Sequence, residues 1–210
     1  TADIARAFDA FARMLRETPD SRIALQRLTE LADAGDGWAG LSLLLEEVVP
    51  DVTDEALAQS LLGRLAEIYE VRLADVEQAI DAHRRGLDLA PEDQASIEAL
   101  DRLYQRSQQW PELLSIYRRK LELLGDEADG REALQFQIAE LLENMLGDAH
   151  EAIQTYQEIL EESPENGRAL GAVAAAWIAA SVPDTEVFAA LVAAMVYLGI
   201  GLSVVGIRVA

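Results

Sequence analysis

The chain has 210 residues, half of them hydrophobic but only 6% aromatic, with a formal net charge of -21 and no cysteine. So acidic a surface repels phosphate backbones, so nucleic acid is excluded as a partner. Disulfides, thiolate zinc sites and a cysteine nucleophile are excluded as well. Alanine and leucine dominate over β-branched and aromatic residues, which favours helix and predicts almost no strand.

Apolar periodicity and turn residues predict helices over 2–17, 20–34, 38–49, 53–72, 75–89, 93–107, 110–124, 129–145, 148–162 and 166–181, joined by short connections. Asp36-Gly37, Gly125-Asp126 and Gly147-Asp148 supply turn or cap residues, and Thr53, Asp54 and Ser163 are capping candidates. The amino terminus, Thr1-Ala2-Asp3, shows no basic stretch followed by an apolar one, so a signal peptide is either absent or already removed.

The helices repeat. Residues 66–100 resemble residues 139–173, a shift of 73 positions: Ala66, Glu67, Glu70, Leu73, Asp75, Ala79, Ile80, Leu87, Pro91 and Glu92 recur as Ala139, Glu140, Glu143, Leu146, Asp148, Ala152, Ile153, Leu160, Pro164 and Glu165. Trp38-Ala39-Gly40-Leu41 and Trp110-Pro111-Glu112-Leu113 mark a second, interleaved kind of unit 72 positions apart. Half of that spacing is a helix pair of roughly 36 residues, within the range of helical repeat arrays.

Three features carry a family resemblance: a small residue opening the second helix of a unit, an aromatic four later, and a proline closing the unit. They stand as Ala152, Tyr156 and Pro164, and again as Ala7, Phe11 and Pro19. On these residues the chain resembles a tetratricopeptide repeat protein over about residues 1–170. Leu113 replaces the small residue and His83 the aromatic in other units, and the first and third units carry an extra residue against a strict 34-residue pattern. A half-a-tetratricopeptide type or another variant helical repeat also fits. The expected fold is all-α: a helical-repeat solenoid over 1–168, an apolar connector over 169–186, and a transmembrane helix over 187–207.

The last expectation rests on length. From Val187 to Ile207 the chain is apolar apart from Ser203 and the Tyr197 hydroxyl, and as a helix it would cover about 30 Å, the thickness of a bilayer's hydrocarbon core. Ala190 with Ala194, and Gly199 with Ser203, place small residues on one stripe where a second membrane helix could pack. The alternative is a last helix buried in a homo-oligomer. Arg208 alone gives little guide to orientation.

No reaction chemistry emerges. His83 and His150, the two histidines, lack metal-ligand spacing, and the glycines form no phosphate loop, so neither metal nor cofactor is expected. The carboxylate neighbours Glu46-Glu47 and Glu161-Glu162 read as a solvated face rather than an acid/base pair. The resemblance implies recognition of a protein or peptide, with the first helix of each unit lining the concave face. That mapping places Arg27, Glu30, Arg64, Glu67, Arg102, Arg106, Glu140 and Glu143 toward the groove. The basic clamp that holds a carboxyl terminus in some members is missing, because Gly63 and Glu67 stand where Lys and Asn would be expected. The expected function is a membrane-anchored, non-enzymatic interaction scaffold in a bacterial inner membrane. The alternatives are an accessory subunit of a membrane complex and a soluble scaffold.

Overall fold

The computed structural model describes residues 2–125 and 128–181, with side chains described over 3–125 and 130–175. Among these residues there is no strand. The helices are α1 (Ala2–Glu17), α2 (Arg22–Gly35), α3 (Trp38–Val48), α4 (Glu55–Glu67), α5 (Val76–Leu89), α6 (Gln94–Ser107), α7 (Trp110–Leu124), α8 (Ala128–Leu141), α9 (Ala149–Glu162) and α10 (Gly167–Ser181). A short 3-10 turn, Val49–Asp51, follows α3. Every predicted helix is present with ends within two residues, except that the last turns of the fourth and eighth wind differently, as π-helical turns over Ile68–Leu73 and Leu142–Leu146. The predicted span 187–207, with Ala190, Ala194, Gly199 and Ser203, lies outside the described residues. Among those described, no helix is long and apolar enough to cross a membrane.

The chain divides into two compact units, one ending at Ser107 and the other beginning at Gln108. In the first, α1 to α6 pack successively, each on the next; in the second, α7 to α10 do the same. Short connections make consecutive helices neighbours, and polar side chains start them. Ser21 accepts from the Ala24 amide, Asp54 from Ala56 and Leu57, Asp93 from Ser96, and Asn166 from Arg168 and Ala169. Asn166 is therefore the start signal of α10, whereas Ser163 closes α9 by donating its amide to the Ile159 carbonyl at 2.8 Å.

The repeated residues occupy equivalent places. Ala66 and Ala139, on the even-numbered helices α4 and α8, have no exposed surface, nor do Ala79 and Ala152 on α5 and α9. A methyl group there lets neighbouring helices approach closely, while Leu61, Leu62, Leu65 and Ile68 fill the space around them. Burying each such leucine contributes about 1.5–3 kcal/mol.

Between the paired helices the chain turns in the same way twice. The Tyr69 carbonyl accepts the amides of Ala74 and Asp75, and the Leu142 carbonyl those of Gly147 and Asp148; Asp75 and Asp148 then cap α5 and α9. A π turn takes in one residue more than an α turn, which accommodates the extra residue in both pairs. The turning residue is left-handed: Gly147 at φ 70° and Ala74 at φ 53°. Alanine is strained there by about 1 kcal/mol relative to glycine. A Cβ on Gly147 would meet nothing within 4 Å, so substitution there probes the backbone alone. In chemical denaturation, Ala74→Gly is expected to stabilise the chain by about 0.5–1 kcal/mol and Gly147→Ala to destabilise it by about 1 kcal/mol. Equal effects of one sign would contradict this account of the turn.

Candidate functional site

Several of the described arginines link one helix or turn to another. In the first unit Arg16 of α1 meets Glu47 of α3 at 2.9 Å, Arg85 of α5 meets Glu46 of α3 at 2.7 Å, and Arg102 of α6 grips both oxygens of Glu70 at 2.9 and 2.8 Å. Arg72 pairs with Asp33 of α2 at 3.4 Å and lies over the Trp38 ring, 4.5 Å from its centroid. In the second unit Arg118 pairs with Glu151, Arg131 with Glu162, and Arg168 with Glu140 at 2.6 Å while stacking 4.1 Å from the Phe136 centroid. Glu46 and Glu47 thus diverge to different arginines. Glu46 is half-buried in an ion pair rather than part of a solvated face.

Between α2 and α4 the even-numbered helices leave an open trough. A groove of about 440 Å³ is lined there by Arg22, Leu25, Gln26, Thr29 and Glu30 from α2, and by Ser60, Arg64 and Glu67 from α4. A second depression joins it at the amino-terminal ends of both helices, where Leu57 and Leu61 add apolar floor. Spacings of i, i+4 and i+7 or i+8 put Arg22, Gln26, Thr29 and Glu30 on one helix face, and Ser60, Arg64 and Glu67 on the other.

The polar groups of this groove are unequally committed. Glu30 accepts from Arg27 at 2.7 Å and Gln26 at 3.0 Å, and the Arg27 hydrogen bond holds its carboxyl below the usual range. Arg64 is held loosely, donating to the Thr29 hydroxyl at 3.3 Å and lying 3.5 Å from Glu67. Its guanidinium keeps most of its donors for an incoming acceptor.

The structure therefore brings Glu30, Arg64 and Glu67 of the predicted face into one groove, with Arg27 bound to Glu30 at its edge. Arg102 and the exposed Arg106 stand on α6, outside that lining. Glu140 and Glu143 belong to the second unit, Glu140 bound to Arg168 and Glu143 accepting the Tyr156 hydroxyl at 3.2 Å. Arg22, Gln26, Thr29 and Ser60 were not anticipated. The same helical spacing would have found Gln26, Thr29 and Ser60 had uncharged polar residues been counted, and Arg22 had the face been carried back to the first turn of α2. Among the described residues, no cluster of His, Cys, Asp and Glu could hold a metal ion.

Sequence comparison matches the tetratricopeptide repeat model twice, over residues 96–131 and 132–166. Residues 96–166 are therefore tetratricopeptide repeats. Such an array is a scaffold for protein–protein interaction. The matches pair α6 with α7 and α8 with α9, which makes α6 and α8 the first helices of their repeats. Solved structures similar to the chain include the following. A tetratricopeptide repeat protein from Parabacteroides merdae is 17% identical, with 84% of this chain and 66% of that chain covered at TM-score 0.42. A putative kinesin light chain with TPR-like repeats from Podosopora anserina is 17% identical, with 84% and 86% covered at 0.43. BtubC from P. vanneervenii is 14% identical, with 86% and 82% covered at 0.41. No curated protein sequence matches the chain.

Within the tetratricopeptide pattern, one position differs in chemistry between the units. Tyr156 is 2% exposed, packs 5.9 Å from Phe136, and is pushed up to about 12 by burial beside Glu143. The same position in the first unit holds His83, half-buried, with Nδ1 3.3 Å from the Ser96 hydroxyl. Burial depresses the His83 imidazole below its ordinary value, with Arg102 adding to the effect, while Glu70 and Asp93 oppose it. A depressed folded value means the unfolded chain binds the proton first, so this stability is complete above the ordinary imidazole range and is lost as pH falls through it. Denaturation midpoints of the intact chain and of His83→Phe should run parallel above about pH 7 and diverge below about pH 6, where the intact chain loses more. A constant difference across that range would contradict a neutral His83 in the fold.

Proposed function

We propose that the chain is an adaptor whose groove between α2 and α4 takes an extended peptide segment of a partner protein. The observation that carries this is the half-committed Arg64 in a trough where hydroxyls, amides and charges of both signs stand over leucines. A peptide backbone needs donors and acceptors along its length and an apolar floor for one side chain. Leu25 and Leu57 provide that floor, and Gln26, Thr29, Ser60 and Arg64 provide the polar rail.

Panning a random peptide library on the full chain, with counter-selection on Ser60→Trp, is expected to yield peptides whose affinity falls about tenfold or more, ~1.4 kcal/mol, in Arg64→Glu. Ser60 is exposed on α4, so tryptophan there fills the groove without entering the core. Selected peptides that bind Arg64→Glu as tightly as the intact chain, or a library that yields none after counter-selection, would place the site elsewhere.

We further propose that residues 187–207 anchor the array in a bilayer, in a bacterial inner membrane, beside a membrane complex. What supports this is the apolar stretch itself, long enough to span and without a polar face. The full chain should sediment with membranes and be released by detergent, whereas a chain ending at Glu186 should remain in the supernatant. Equal partitioning of the two would end the anchor reading and favour a soluble scaffold.

A further inference from the structure

The first unit holds a polar cluster that neither the groove nor the packing requires. Glu70, whose side chain is only 19% exposed, is gripped through both oxygens by Arg102, which is 61% exposed on the α6 face. His83 of α5, at the position that Tyr156 holds in the second unit, feels the charges of both members of this pair and is tied through Nδ1 to Ser96, whose own amide is fixed by Asp93. α4, the π turn and α6 all pack on α5, and the charged groups that reach the imidazole come from the last two: Glu70 from the π turn, Arg102 from α6 and Asp93 from its cap. The second unit shows what this position does elsewhere in the array. There Tyr156 and Glu143, the counterparts of His83 and Glu70, are joined directly at 3.2 Å. The repeat geometry thus aims this side chain at that carboxylate, and in the first unit Arg102 has taken the carboxylate instead.

We propose that His83 is a proton-operated release for Arg102: protonation of the imidazole gives Glu70 a second cationic partner and frees the Arg102 guanidinium onto the α6 face. A single mostly buried carboxylate balances one cation, and a second cation placed beside it repels the first. The neutral form suits the fold as it stands, because burial and Arg102 both act against the proton. Acidification therefore strains the cluster at its exposed member, the arginine. The use of the freed guanidinium rests on the reading that first helices bear the binding face, where it would meet a carboxylate or carbonyl of the partner peptide.

The release is tested on the full chain without any peptide, so its failure and that of the groove reading are distinguishable. With only two histidines, labelled imidazole carbons give two NMR titrations, and exposed His150 is the internal reference. In Arg102→Gln the His83 midpoint should move up by about half a pH unit or more, and in Glu70→Gln it should move down, with His150 unchanged. The Arg102 guanidinium resonance should lose its restrained character as pH falls through the His83 midpoint, and should stay restrained over that range in His83→Phe. The proposal is overturned if His83 titrates at one pH in all three proteins, or if the Arg102 resonance changes identically in His83→Phe. Arg102 is exposed, so the Arg102→Gln arm stands even where Glu70→Gln disturbs the fold.

Discussion

None of these helices is stable alone. Each runs for three or four turns, a length at which an isolated helix is marginal in water, and each carries an apolar stripe that only a neighbour can cover. Alanines at the tightest points, Ala66 and Ala79 in one unit and Ala139 and Ala152 in the other, let that neighbour come close enough for the leucines to interlock. The remaining features follow from this. Because burial is settled between adjacent helices, the outward face of α2 and α4 is left to residues that packing does not dictate, and it is there that Arg22, Gln26, Ser60 and Arg64 stand. Stability and recognition are thereby assigned to opposite faces of the same helices.

Charge is organised by the same neighbour relation. Basic residues are scarce, 17 against 38 acidic ones, and most of the described arginines are held by carboxylates, many of them on another helix. Exposed pairs of this kind contribute at most about 1 kcal/mol each, so their importance lies in orientation. They leave few guanidinia uncommitted, which gives weight to those that are loosely held. Arg64 has long contacts to a hydroxyl and to a carboxylate; Arg102 has a tight, two-pronged grip on a mostly buried one. The first is open to a ligand as it stands, and the second becomes so only when its carboxylate acquires another partner.

Much of this was legible in the sequence, for physical reasons that can be named. Helix periodicity together with Pro19, Pro91 and Pro164 marks the helices and their ends, because a buried stripe and a missing amide leave their mark on residue identity. Of the two π turns only the second left such a mark, in Gly147: Ala74 occupies a left-handed position where glycine would have announced the first, and Asn166 was passed over as the cap of α10. The groove was half legible. Glu30, Arg64 and Glu67 follow from placing first helices on one face, whereas Arg102, Glu140 and Glu143 were assigned to the same face without regard to the carboxylate, arginine or tyrosine each would meet across helices. Those partners lie 13 to 32 positions away and depend on how helices stack, which spacing along one helix does not reveal.

His83 shows what a repeat array permits. In a single-core domain, exchanging a buried aromatic for an imidazole disturbs packing on every side, but here the position contacts only its own and adjacent helices, and the neighbouring unit retains the aromatic version, Tyr156. The two units therefore display the same frame with different chemistry: a phenol that burial pushes up and that donates to its carboxylate, and an imidazole that burial holds below its ordinary value while another residue holds that carboxylate. A tyrosine would have satisfied Glu70 and made Arg102 unnecessary there. The presence of both an arginine and a histidine around one mostly buried carboxylate gives that carboxylate more cationic partners than it can hold at once, and the proton count on His83 decides which of them it keeps.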